Sequence, residues 1–97
     1  MEKYVYLNEL YDLYGSLLTI KQQKYFEDYY FNNLSYGEIS NKYQVSRNAI
    51  YHQLKLIEEK LIFFEEKLNL YKKKQKINDI INLIDNKKIQ KIMKDLF

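Results

Sequence analysis

A chain of 97 residues is bounded to one domain, and a chain this short needs close helix packing or a second copy to hide enough apolar surface. It has no cysteine, no proline and a single histidine, His52, which excludes disulfides, thiolate metal sites, cysteine nucleophiles and His-pair metal motifs. The net charge of +3 is unevenly spread: residues 1–33 carry three lysines against five acids, and the rest carries 13 Lys/Arg against eight acids, a basic excess that suits a polyanionic partner.

Residues 4–18 place Tyr4, Leu7, Tyr11, Tyr14 and Leu18 at spacings of three and four, one face of a helix. Tyr6, Leu10, Leu13 and Leu17 form a second stripe beside it, so this helix is expected to pack on two sides. Thr19 followed by Gln22 reads as a capping box and opens a helix over about 20–32, with Phe26, Tyr29 and Tyr30 as its buried face. Asn32-Asn33 is expected to end it, because asparagine tolerates the left-handed backbone of helix C-termini.

Ser35 and Glu38 repeat the capping box and open a short helix over 35–43. Gln44-Val45 makes a tight turn, and Ser46 caps the next helix. Ile50, Leu54, Ile57, Leu61, Phe64, Leu68 and Tyr71 then follow at alternating four and three, a seven-residue repeat held for three heptads. The stripe is either the packing face of a long helix against the first helix or the seam of a homodimer. Lys72-Lys73-Lys74-Gln75-Lys76 breaks the periodicity and reads either as a solvated helix end, where cations complement the dipole, or as a phosphate contact. Ile77, Ile80, Ile81 and Ile84 mark a further short helix, and Asn86 links it to a last one bearing Ile89, Ile92, Met93 and Leu96.

The segment 34–52 carries the most information. Leu34, Ile39, Tyr43 and Val45 are expected to point inward and Ser40 to sit at the closest helix approach, with Ala49 and Ile50 packing on the first helix. Arg47, Asn48, Tyr51, His52 and Lys55 are left facing outward, at the positions that meet a major groove in a helix-turn-helix. Arg47 can contact a phosphate or chelate a guanine edge, and Asn48 can pair with an adenine edge. Tyr51 and His52 can donate to phosphate or stack on thymine methyls, and Lys55 reaches the backbone.

Residues 19–61 resemble the C-terminal, promoter-reading region 4 of sigma factors. The likeness is carried by Thr19–Gln23, Leu34–Ser40, Val45–Tyr51 and Glu58–Leu61. With Tyr11–Thr19 ahead of it and Phe64–Leu68 after it, the chain is similar to the YlxM family of small bacterial helix-turn-helix proteins over about residues 4–75. That resemblance implies DNA binding and a link to co-translational protein targeting, since the family's genes lie beside those of the signal recognition particle and its receptor GTPase. Residues 77–97 match the family less well.

The expected architecture is all-α: a sigma region 4-like helix-turn-helix without a wing, a long C-terminally extended recognition helix and short C-terminal helices. A single domain spans 1–97, with N-terminal helices at 4–33, the helix-turn-helix at 35–52, the helical extension at 53–75 and a tail at 76–97. Three functions are open: a DNA-binding regulator, an accessory protein holding signal-recognition-particle RNA or GTPases, and a dimerisation module with no nucleic-acid ligand. An enzyme is not expected, because Glu38, Glu58, Glu59, Glu65 and Glu66 read as caps and solvated surface beside Lys60 and Lys67, and there is no glycine-rich phosphate loop. No cofactor or metal is implied. With no apolar run near the roughly 20 residues of a membrane span and no signal pattern at Met1–Leu10, a cytoplasmic protein is expected.

Overall fold

The computed structural model describes residues 2–84 and 87–96. Among these, six α-helices and no strand occur: α1 (Lys3–Tyr14), α2 (Ile20–Tyr30), α3 (Tyr36–Tyr43), α4 (Arg47–Leu68), α5 (Leu70–Leu83) and α6 (Lys87–Lys94). A single 3-10 turn at Gly15–Leu17 joins α1 to the α2 cap. The shape is elongated, 54 Å against 25 and 23 Å in the other directions.

The helix starts follow the sequence signals. Thr19 and Gln22 exchange both bonds of a capping box, as do Ser35 and Glu38, and the Ser46 hydroxyl accepts the Ala49 N–H at 3.0 Å. The ends are equally local. Asn33, Gln44 and Asn69 take left-handed backbone at φ 56°, 55° and 54°, which turns the chain after α2, α3 and α4. Gly15 is set by a close approach: a Cβ there would meet the Tyr11 ring at 2.9 Å, and that ring is itself stacked on Phe26 at 4.2 Å.

One core runs through the first four helices and takes in the start of α5. Leu7, Leu10 and Tyr14 of α1, Tyr25, Phe26 and Tyr30 of α2, and Ile39 of α3 close around Ile50, Leu54, Ile57 and Leu61 of α4. Each such side chain contributes roughly 1.5–3 kcal/mol on burial. Leu17, of the second stripe expected on the first helix, is exposed, because the chain has already left the helix in the 3-10 turn.

Two expectations are corrected at the C-terminal end. The extension over 53–75 is not one helix: Asn69 breaks it, and Tyr71 belongs to α5. The lysine run 72–76 does not lie at a helix C-terminus but in the first turns of α5, the N-terminal end at which the dipole disfavours cations. A buried carboxylate offsets this. Glu65, expected on the surface, accepts the Tyr71 N–H at 2.9 Å and the Lys72 N–H at 3.4 Å, so it caps α5 from the preceding helix. The Tyr14 hydroxyl donates to Glu65 at 2.7 Å and accepts the Leu70 N–H at 3.0 Å, so α1, α4 and α5 meet in one hydrogen-bonded joint. Asn86 lies outside the described residues. Gln90 of α6 donates to the carbonyls of Ile81 and Ile84, folding α6 back on the end of α5.

Candidate nucleic-acid interface

The helix-turn-helix is α3, the turn Gln44-Val45 and the first turns of α4. Ile39 is fully buried between the two helices, Ser40 is buried with its hydroxyl on the Gly37 carbonyl, and Leu34, Tyr43 and Val45 are half-buried around them. The Val45 N–H reaches the Ser40 carbonyl at 3.1 Å, closing α3 and placing Ser46 at the start of α4.

The angle of α3 is held by a residue that the sequence pattern did not single out. Asp28, buried near the end of α2, accepts from the Tyr43 hydroxyl at 2.6 Å and from the Lys42 ammonium at 3.0 and 3.2 Å. Burial alone would raise its pKa, but the bonds from Tyr43, Lys42 and Asn32 outweigh that and hold the carboxyl below the usual carboxylate range. Both α3 partners therefore answer to one charge on α2. Glu38 is also held low, by the Ser35 backbone N–H and then by the Ser35 hydroxyl.

With α3 and α4 locked, Arg47, Asn48, Tyr51, His52 and Lys55 stand exposed at i, i+1, i+4, i+5 and i+8 of α4, which share one helix face. Tyr51 is the organiser of that face. Its ring meets His52 edge-on at 5.4 Å, lies 5.7 Å from the Lys55 ammonium and touches Tyr36 of α3 at 5.8 Å. The face thus presents a fork of donors, an amide, an imidazole and a cation around one aromatic ring.

The seven-residue stripe sits largely inside the chain. Ile50, Leu54, Ile57, Leu61 and Tyr71 are buried, Phe64 is half-buried against Tyr14 at 6.0 Å, and Leu68 is 45% exposed because Asn69 turns the chain away. As folded, the stripe is not an open seam for a second copy. Glu58, also expected on a solvated face, is half-buried, with the Tyr30 hydroxyl at 2.9 Å and the Lys3 ammonium at 3.3 Å. No group of three or more His, Asp or Glu side chains among the described residues could hold a metal, and no helix there is long and apolar enough to cross a membrane.

Residues 1–96 match the model of the UPF0122 family, described as "Putative helix-turn-helix protein, YlxM / p13 like". The chain belongs to this family. A UPF0122 protein of Geobacillus sp. (strain WCH70) is 41% identical over 98% of this chain and 86% of its own. One from Thermoanaerobacter sp. (strain X514) is 46% identical over 87% and 69%, and one from Ureaplasma urealyticum serovar 10 is 41% identical over 94% and 92%. The UPF0122 match extends to Leu96, so the C-terminal helices that resembled the family less in the sequence lie within it.

The structure also gathers residues that no sequence spacing linked to the recognition helix. Lys3 and Tyr4 of α1, Tyr29 and Tyr30 of α2 and Tyr36 of α3 stand beside Tyr51 and Lys55. The abundance of tyrosine was the only hint, and on its own it marks core as readily as surface.

Proposed function

We propose that this UPF0122 protein binds duplex DNA through the outer face of α4, with Arg47 and Asn48 reading base edges and Tyr51, His52 and Lys55 contacting the phosphate backbone. The observation that supports this best is the exposure of all five side chains on one face of a helix whose start and angle are fixed by Ser46, Ile39 and the Asp28 joint. It acts as a cytoplasmic binding protein with a regulatory role, not as an enzyme. Two copies joined as a homodimer would present two such helices about 34 Å apart, one turn of the duplex.

A second reading has its own support. The segment from Asn69 onward holds eight lysines and three aspartates, and it begins at the end of α4 far from Arg47. A cationic arm away from the groove-reading face suits an accessory protein of the signal recognition particle, gripping its RNA backbone or an acidic face of its GTPases. A dimerisation module without a nucleic-acid ligand would leave both cationic features idle.

Salt-stepped binding to labelled genomic duplex fragments and to signal-recognition-particle RNA separates the readings. The same assay is run on a variant with Arg47, Asn48 and Lys55 all changed to Ala. The DNA reading expects tight duplex binding, a steep salt dependence and a loss of at least a hundredfold in the variant. RNA binding that survives the three changes would move the function to the targeting machinery, and no binding to either would leave the dimerisation module.

A further inference from the structure

A cleft of about 310 Å³ opens beside the recognition helix, between the start of α1, the end of α2, α3 and the second and third turns of α4. Its walls are phenol rings in two sets. On one side Tyr4 leans on Tyr30 at 5.1 Å and its hydroxyl donates to the Tyr30 carbonyl. On the other, Tyr36 is stacked on Tyr29 at 5.1 Å and 17°, and meets Tyr51 edge-on. Leu54 also lines the cleft and is buried. Tyr4 and Tyr51 are 42% and 41% exposed, so each keeps much of its surface open.

The polar groups are few. Glu58 accepts from Tyr30 and from Lys3, which leaves lone pairs on its carboxylate. Lys55 has no ion pair among the described residues. A bond with Tyr29, then burial, pushes Tyr36 up to about 12, and burial followed by the bond to Glu58 raises Tyr30, so these two phenols are neutral near neutral pH.

Open aromatic surface, one carboxylate acceptor and an unpaired lysine make a specific demand on a ligand. It must be planar, carry N–H donors on its edge and bear an anionic group next to the ring. A nucleobase with its own phosphate meets all three conditions, and aromatic rings hold such bases by stacking. The cleft stands at the small end of ligand pockets, the size for one ring system. A base stacked and paired inside a helix cannot enter, since both its faces and its edge are occupied.

From this geometry we infer that the tyrosine cleft captures one unpaired nucleobase of a strand whose backbone runs over Lys55. The inference rests on the nucleic-acid part of the proposed function and adds what the groove-reading face lacks, a preference for a bulge, gap or single strand next to the docked helix. Tyr51 and Lys55 belong to both surfaces, so bound duplex and captured base would be neighbours.

The test uses the full chain and 2-aminopurine, a fluorescent base whose emission falls on stacking. It is placed as a single unpaired nucleotide in a DNA duplex, in the fully paired duplex, and as a single-nucleotide bulge in an RNA hairpin. Wild type is expected to bind a bulged probe about tenfold more tightly than its paired counterpart, the low end of what one base–aromatic stack contributes, with quenching of the bulged base. Tyr4→Leu, outside the recognition face, is expected to lose that tenfold, while Tyr4→Phe keeps it and both bind paired duplex as wild type does. Bulged DNA and bulged RNA compared side by side identify the strand. Equal affinity for bulged and paired probes with no quenching overturns the inference, as does a Tyr4→Leu protein that keeps the preference. Should Tyr4→Leu not fold, wild-type quenching decides alone. Bulge capture that survives changing Arg47 and Asn48 to Ala, with paired binding lost, would support the cleft; capture without any paired-duplex binding in wild type would support it against groove reading.

Discussion

Residues 2–68 and residues 69–96 are both helical and both rich in lysine and branched aliphatic side chains, yet they use them in opposite ways. In the first region Leu7, Leu10, Phe26, Ile50, Ile57 and Leu61 anchor one core that leaves Ile20, Leu17 and Phe63 at its margin, and eight basic residues face ten acids. In the second, Leu83 is 86% exposed, Leu96 76% and Ile92 58%, while lysines outnumber acids by five over 69–97. Aside from Tyr71 and Leu70, which pack into the main core, the arm has a small centre of its own around Ile81. The protein's net positive charge is therefore a property of the arm, not of the region that bears the helix-turn-helix. Hydrophobic content predicts neither burial nor stability unless a partner surface is supplied.

The widest separation between the two regions should come from truncating one aliphatic side chain in each. Ile57→Ala, at a fully buried site, is expected to cost about 2–5 kcal/mol. Leu83→Ala should change stability by no more than about 0.5 kcal/mol. Urea unfolding of both variants checks this, and similar midpoints would mean that the arm is packed as tightly as the core.

The joint between the regions comes next in size. Glu65→Ala removes the acceptor for the Tyr14 hydroxyl and for the first N–H groups of α5, leaving buried donors unmade at about 1–3 kcal/mol. Glu65→Gln keeps an acceptor oxygen and should lose less. Amide exchange at Tyr71 and Lys72 is the sensitive readout. Protection there that is the same in Glu65→Ala as in wild type would show that the cap is not what starts α5.

The smallest effect is expected inside the first region and appears only in acid. Asp28 has its pKa lowered on folding, so its ionised form is favoured in the folded state. The stability it adds is complete above its ordinary value of about 3.9 and is lost as pH falls below that toward the folded value. Thermal melts from pH 6 down to pH 2 should show wild type losing stability more steeply than Asp28→Asn at the acid end. Parallel curves would remove Asp28 as the charge that holds α3.

What the sequence disclosed, it disclosed through local rules. Thr19, Ser35 and Ser46 cap because a hydroxyl two or three residues ahead of free N–H groups has one favourable place to bond, and the asparagines end helices for reasons contained in one residue. The five exposed residues of α4 followed from periodicity once Ser46 fixed the start. The features that escaped depend on contacts across the chain. Asp28 and Glu65 look like any acids on helices until Tyr43 and Tyr14, 15 and 51 residues away, supply hydroxyls. The seven-residue stripe could not name its own partner, because a helix face that fits α1 of the same chain has the same pattern as one that fits a second copy. The tyrosine cleft draws on four helices and so has no sequence spacing at all.

The cap that Glu65 provides also settles a question of leverage. A helix that caps itself can pivot on its connecting residue, but α5 receives its first hydrogen bonds from the body of α4, with Tyr14 of α1 braced against the same carboxylate. Asn69 is then less a hinge than an elbow set at a fixed bend. With 14 residues, α5 is about 21 Å long, so a tilt of roughly 10° at that elbow would carry its far end about 4 Å. The aim of the cationic arm is thus written in the packing of α1 on α4, and whatever twists those two helices also points the arm.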